Sequence, residues 1–251
     1  MVKGKGEIAL VTGVSHAKGI GAAICKKLAQ SGYDIFFAYW QSAPGWEGQM
    51  VQEVEAEGMR CKGLEIDLSQ ADAPYLLLDA VSEQLGFPTV IVNNAAYSTR
   101  DGFKKLDAEM LDEHYAVNMR STFLLCTEFA KRFQQMDKTS GRIINMTSGQ
   151  DLGPMPGELA YVATKGAITA FTRTLSAELA PYGITVNAVN PGPTDTGWMT
   201  EELKEELLPK FLMGRLGKPE DAARLVAFLA SEEAGWITGQ VIHSEGGFHR
   251  W

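Results

Sequence analysis

Disulfides, metal-binding clusters and membrane spans are all lacking. The 251 residues include three cysteines, Cys25, Cys61 and Cys126, widely spaced and odd in number. No metal-type spacing relates them, so the chain reads as one of a reducing compartment rather than a disulfide scaffold. Each thiol is expected to pack as a small hydrophobe. No apolar run reaches the ~18 residues that cross a membrane. Lys3 and Lys5 precede Ile8-Ala9-Leu10-Val11, but that run is too short for a signal peptide, and Glu7 interrupts its approach. The expected compartment is the cytoplasm. Basic charge is also scarce. Against 31 Asp and Glu stand 23 Lys and Arg, for a net charge of −8. This argues against nucleic acid or an anionic membrane as partner. A small anionic ligand held by local N–H groups stays open. His114, His243 and His249 have no ligand-like spacing and read as packing or surface residues, so no metal is expected.

What is present is a core. Apolar residues make up 45% and charged residues 22%, as in a soluble globular protein. Short apolar runs alternate with helical patterns. Strands are expected at 8–11, 34–39, 61–66, 89–92, 142–146, 184–189 and 239–243. Helices are expected at 20–31, 46–57, 72–85, 107–116, 118–136, 158–180 and 219–230. Continuous apolar strands in β-α alternation predict an α/β fold, a doubly wound, mostly parallel sheet with helices on both faces. No linker, repeat or low-complexity tract divides the chain, so one domain over 1–251 is expected. The least regular stretch, 191–217, is rich in Pro and Gly and then carries Glu201-Glu202-Leu203-Lys204-Glu205-Glu206. Such an acidic helix reads as a solvated face, and so long a connection in a compact domain reads as a substrate lid. Met155, Trp198, Met199, Phe211, Leu212 and Met213 are candidates for an apolar pocket beneath it, or for packing.

The first strand ends in Thr12-Gly13-Val14-Ser15-His16-Ala17-Lys18-Gly19-Ile20-Gly21. Glycines at a strand-to-helix turn let backbone approach phosphate, and the helix start offers free N–H groups and a positive dipole end. A dinucleotide is the expected ligand, with Lys18 as a cation beside phosphate. At the end of the second strand, NAD sites commonly carry an acid for the ribose 2′-hydroxyl. Here the residues are Tyr39-Trp40-Gln41-Ser42. Without a carboxylate there, NADP(H) is favoured over NAD(H), and Trp40 is placed to stack on adenine or cap the sheet edge.

Tyr161 and Lys165 stand four apart in a helical pattern, so phenol and ammonium share one face. A free phenol has a pKa of ~10, and an adjacent cation is expected to lower it. Such a tyrosine exchanges a proton with a hydroxyl or carbonyl.

These motifs together resemble the short-chain dehydrogenase/reductase family, along nearly the whole chain. The glycine turn at 12–21, Asn93-Asn94-Ala95-Ala96, Tyr161 with Lys165, and Pro191-Gly192 followed by Thr194 and Thr196 carry the likeness. So do Asp67-Leu68 after the third strand, Asn118 in Val117-Asn118-Met119, and Ser148, thirteen residues before Tyr161. The resemblance implies a Rossmann-type fold and an NAD(P)-dependent oxidoreductase. It implies Tyr161 as general acid or base, with Lys165 lowering its pKa and binding the nicotinamide ribose. Ser148 would hold the carbonyl oxygen, and Asn118 would position a water leading to Lys165. Asp67 and Leu68 would meet adenine, Asn94, Ala95 and Ala96 the adenosine side, and Pro191, Gly192, Thr194 and Thr196 the carboxamide. Gly13, Ser15, His16, Lys18, Gly19, Ile20, Gly21 and Trp40 complete the cofactor set.

Two departures stand out. Five residues separate Gly13 and Gly19, where the usual turn has three, so the parts of Ser15 and His16 do not carry over directly. Ala96 replaces a glycine. The branch resembles bacterial 3-oxoacyl-[acyl-carrier-protein] reductases, which makes a carrier-bound thioester the leading substrate. Lys131, Arg132 and Arg142 are candidates to meet an acidic carrier, although Tyr182 stands where carrier-docking members often have Arg. A sugar, a small ketone, a hydroxysteroid and a non-catalytic NADP sensor or scaffold stay open. The family implies a homotetramer, with Gly239 to Gly247 forming the last strand and turn near subunit contacts.

Overall fold

The computed structural model describes residues 6–250, so Lys3 and Lys5 lie outside it. The described residues form a seven-stranded, wholly parallel sheet in the order β3-β2-β1-β4-β5-β6-β7. Its strands are β1 (Ile8–Thr12), β2 (Asp34–Tyr39), β3 (Cys61–Glu65), β4 (Val90–Asn93), β5 (Gly141–Met146), β6 (Ile184–Asn190) and β7 (Val241–His243). The helices are α1 (Ile20–Gln30), α2 (Trp46–Glu55), α3 (Ala73–Gln84), α4 (Ala108–His114), α5 (Ser121–Phe133), α6 (Leu159–Leu179), α7 (Glu201–Leu207) and α8 (Pro219–Ala230).

Both sheet faces are covered, which is why β1, β2, β4, β5 and β6 are buried at every position. Alternate residues serve opposite cores. Ala9, Val11, Ile35 and Phe37 pack with α1, α2 and α8. Leu10, Phe36, Ile91 and Val186 pack with α3, α5 and α6. Cys25, Cys61 and Cys126 are all buried free thiols. The chain runs outward from β1 to β3 and then crosses to β4 on the other side. The crevice beyond the carboxyl ends of β1 and β4 is therefore the switch point where such sheets bind ligands.

One expected break is absent. In place of separate helices at 107–116 and 118–136, a π-helical stretch, Tyr115–Arg120, joins α4 to α5 without interruption. The 191–217 stretch is an excursion with a closed neck. Thr194 bridges Gly217, and Asp195 N donates to Gly217 O at 3.0 Å. Inside it, Thr200 caps the exposed α7. Among the described residues no helix is long and apolar enough to cross a membrane, and no group of His, Cys, Asp and Glu is arranged to hold a metal ion.

Candidate active site

The glycine turn is held open by its neighbours. Gly13 has φ +73°, and a Cβ there would lie 2.6 Å from Ala95 Cα. A Cβ on Gly21 would lie 2.6 Å from Gly13 O, so α1 starts against the turn itself. Asn94 Nδ2 donates to the carbonyls of Thr12 and Gly13, both at 3.0 Å, while Thr12 Oγ1 accepts from the N–H groups of Asn94 and Ala95. The extra length of the turn is folded back by Gly19 N donating to His16 O at 3.1 Å. Ser15 Oγ accepts from Trp40 N at 3.2 Å and so ties the turn to the end of β2.

These segments enclose a cavity of about 440 Å³. Gly13, Ser15, His16, Gly19, Ile20, Trp40, Asp67, Leu68, Asn94, Ala95, Ala96 and Thr196 line it. The first turn of α1 has no capping side chain and no acidic residue. Glycine backbone, an uncapped helix start and a half-exposed Trp40 together fit the phosphates and flat base of a dinucleotide. The Asp67 carboxylate is fixed by its own turn. Burial would raise its carboxyl pKa, but hydrogen bonds from Gln70 and Ser69 outweigh this and hold it low.

Several other candidates are engaged with neighbouring residues. Lys18 does not line the cavity; its Cδ faces Gly197, and its charge acts on Asp195 across the neck of the 191–217 excursion. Thr194 Oγ1 bonds back to the carbonyls of Pro191 and Gly192. Gly192 N donates to Asn190 Oδ1 at 2.9 Å. Met199 and Phe211 are buried, whereas Trp198, Leu212 and Met213 are exposed. Arg142 is buried on β5, where its guanidinium bonds the carbonyls of Gly141 and Ser231, so it cannot meet a carrier. Arg132 is clamped between Asp79 and Glu128.

Beyond β4 and β5 the residues expected to handle protons converge. Lys165 is 2% exposed, and its Nζ donates to Met146 O at 2.8 Å, 5.5 Å from the centre of the Tyr161 ring. Thr147 Oγ1 donates to Lys165 O at 3.1 Å, locking β5 to α6. The Ser148 hydroxyl is close enough to the Tyr161 phenol to lower its pKa, and it donates to Met155 Sδ at 3.8 Å. The expected lowering of the phenol pKa by the cation is not what this geometry gives. Burial pushes the Tyr161 phenol up to about 12, against a smaller lowering from Ser148. Burial likewise brings Lys165 down to about 8. At neutral pH this is a protonated phenol beside an ammonium poised to lose its charge.

Asn118 lies in the π-helical stretch, fully buried. Its Oδ1 accepts from Tyr97 N at 2.7 Å, and its Nδ2 donates to Tyr97 O at 2.9 Å and Thr164 Oγ1 at 3.0 Å. The amide expected to hold a relay water is thus engaged with protein. It joins a cavity-lining residue, Tyr97, to the helix that carries Tyr161 and Lys165. A π-turn placing such a side chain is a frequent mark of a functional site.

Sequence reasoning missed Asp101. Its carboxylate accepts from Leu159 N at 2.8 Å and Ala160 N at 2.7 Å, capping α6 from a loop 58 residues away. No local signal announces such a cap; Glu158, adjacent in sequence, instead pairs with Arg100 at 3.5 Å. Tyr97 was within reach of a reader, since it directly follows Asn93-Asn94-Ala95-Ala96.

Comparison with known proteins agrees with this geometry. The family model described as Enoyl-(Acyl carrier protein) reductase matches residues 13–249. The "Uncharacterized oxidoreductase YjdA" of Bacillus subtilis (strain 168) is 62% identical over 244 residues, covering 97% of each chain. The 3-oxoacyl-[acyl-carrier-protein] reductase FabG of Staphylococcus aureus strain Mu50 is 36% identical, covering 96% of this chain and 97% of its own. A solved blue fluorescent protein from a metagenomic library, in complex with NADPH, superposes with a TM-score of 0.89 at 32% identity, covering 97% of this chain and 98% of its own. Sheet order, glycine turn and sequence likeness along the whole length converge on one assignment: the chain belongs to the short-chain dehydrogenase/reductase family of oxidoreductases.

Proposed function

We propose that the protein is an NADPH-dependent carbonyl reductase that forms a secondary alcohol and takes a 3-oxoacyl thioester as substrate. The observation that carries the reading is the protonated Tyr161 phenol beside Ser148 and backed by the buried Lys165 ammonium, 5.5 Å from the ring centre. Gly13, Ser15, His16, Gly19, Ile20, Gly21, Trp40, Asp67, Leu68, Asn94, Ala95 and Ala96 hold the adenosine and phosphate side. Pro191, Gly192, Thr194 and Thr196 face the carboxamide, and Lys165 meets the ribose. When bound, the nicotinamide supplies the hydride.

Ser148 Oγ donates to the substrate carbonyl oxygen and steadies the negative charge that grows there. Tyr161 Oη gives its proton to that oxygen as the C=O π pair becomes an O–H bond. Lys165, as a cation, stabilises the phenolate left behind. Asn118 positions Tyr97 and α6. Thiol esters enter from the named activity of the Staphylococcus relative, with the 191–217 excursion as lid. Homotetrameric assembly and a cytoplasmic location belong to the same reading.

The proposal is tested by assaying the protein with NADPH against 3-oxoacyl thioesters, simple ketones, sugars and steroids. Tight cofactor binding without turnover on any of them would refute it in favour of a sensor. The cofactor preference rests on the absence of a carboxylate from Tyr39 to Ser42 and on the NADPH complex of the metagenomic relative. NADPH is expected to bind about tenfold tighter than NADH, ~1.4 kcal/mol, by fluorescence titration. Tighter NADH would overturn this choice.

The reaction carries a pH signature. The phenol stays protonated across the neutral range, while Lys165 loses its charge as pH rises through about 8. The reduction rate is therefore expected to be flat below that value and to fall above it. A rate that climbs through pH 8 to 9 under saturating substrate would contradict the assignment.

A further inference from the structure

Residues 244–250, which follow β7, touch two loops around the site, the 191–217 excursion near both its ends and the loop after Ser148. Met213 N donates to Gly246 O at 3.3 Å and His249 N to Lys210 O at 2.8 Å, while Phe248 packs on Phe211 with ring centres 4.9 Å apart. These contacts hold the outer end of the 191–217 excursion. Glu245 accepts from Asn190 Nδ2 at 2.9 Å, and its side chain fills the space where Gly192 would carry a Cβ. Arg250 then reaches back along the segment. Its Nη1 and Nη2 donate to Glu245 Oε1 and Oε2 at 3.0 and 2.6 Å. The two side chains are only 11% and 10% exposed.

The guanidinium also lies against the loop that follows Ser148. A Cβ on Gly149 would collide with Arg250 Nη2, and one on Gly153 would lie 2.8 Å from Arg250 Cδ. Neither glycine has a positive φ. Arg250, rather than backbone conformation, is what a side chain at these two positions would displace. A bidentate pair so nearly withdrawn from water leaves an uncompensated charge if either partner is removed.

We infer that the Glu245–Arg250 ion pair is a latch that positions Ser148, fastening its loop to the turn at Gly192 and to the outer end of the lid. The inference rests on the proposed role of Ser148 in holding the carbonyl oxygen. Neither residue touches the reacting atoms; both are positioning residues.

The test uses Arg250→Gln, Arg250→Lys and Gly149→Ala in the full-length chain. Arg250→Gln is expected to lower kcat by ~10- to 100-fold through misplacement of Ser148, with NADPH affinity held within about twofold, a change too small to register as tenfold binding. Arg250→Lys restores part of kcat, because it keeps the charge without the planar fork. Gly149→Ala lowers kcat similarly. The double variant Gly149→Ala/Arg250→Gln is no worse than either single change, since the methyl then occupies vacated space. Multiplying effects, or an unaltered kcat in Arg250→Gln, would overturn the latch. Hydrogen exchange decides independently of activity: amides of 149–153 and 210–214 should exchange ~10-fold faster in Arg250→Gln, and unchanged exchange there also overturns it. Tyr161→Phe, run alongside, reports on the function itself. If that variant keeps full turnover, the proposed chemistry fails while the exchange result still rules on the latch.

Discussion

Tyr161→Phe is expected to lower kcat/KM for carbonyl reduction by ~10³-fold or more, within the ~10²–10⁴-fold that general acids contribute. This corresponds to ~4 kcal/mol of transition-state stabilisation at 1.36 kcal/mol per tenfold. The substitution removes one oxygen and leaves the ring in place over Lys165. NADPH binding, read by fluorescence, should therefore be almost unchanged. The loss should appear in kcat, because the proton moves only as the carbonyl becomes an alkoxide. The buried phenol, held up to about 12, is a proton store at neutral pH. In the proposed mechanism Ser148 would lower the cost of releasing that proton, and the Lys165 cation would stabilise the phenolate left on Tyr161. Turnover of the phenylalanine variant at the wild-type rate would remove Tyr161 from the chemistry.

Asp101→Ala is the second large effect, and it acts on stability. The Asp101 carboxylate satisfies the first N–H groups of α6, at Leu159 and Ala160, and also that of Gly102. Losing such a cap costs ~2 kcal/mol at the upper end of measured cases, or about 4–8 °C in Tm for a chain of this size. Because α6 begins two residues before Tyr161, kcat should fall as well, while Glu158→Ala should change neither by much. The pH dependence follows from the carboxyl. Burial would raise its pKa, but the N–H groups of Ala160, Gly102 and Leu159 outweigh burial and hold it below the ordinary value. A depressed carboxyl stabilises the fold above its unfolded pKa of ~3.9 and loses that contribution as pH falls through the lower folded value. The Tm gap between wild type and Asp101→Ala should thus be full at pH 7 and shrink toward pH 3. Equal melting of the two proteins at pH 7 would show that the cap carries no stability.

Much of the architecture could be read from residue order because its signals are local. Ile8 to Val11, Ile35 to Ala38 and Val90 to Val92 are continuous apolar runs, and a two-sided parallel sheet is what such strands require. Cavity residues were equally visible, since Gly13 and Asn94 sit just past strand ends and Gly19 at the start of α1, where the chain must turn. What escaped was set by partners distant in sequence. Asp101 looks like a loop acid until α6 arrives above it. Arg250 looks like a surface charge until Gly149 and Gly153 are seen to make room for it. Lys18 looks like a phosphate ligand by adjacency, yet its stem lies across Gly197. The pKa of Tyr161 was misjudged for a related reason. Spacing reveals a neighbouring cation, whereas the depth of burial that raises the phenol belongs to the assembled fold.

The π-helical stretch has a consequence for how one rod of chain serves two layers. An α-helix advances ~100° per residue, so each residue added to a turn rotates everything beyond it by about that angle. Before Tyr115, α4 lies on α6; after Arg120, α5 lies on α3. The widened turn acts as a phase shifter between the face that braces the tyrosine helix and the face that fills the core. Asn118 sits in that shift, which is how a fully buried amide comes to hold both the cavity wall and α6.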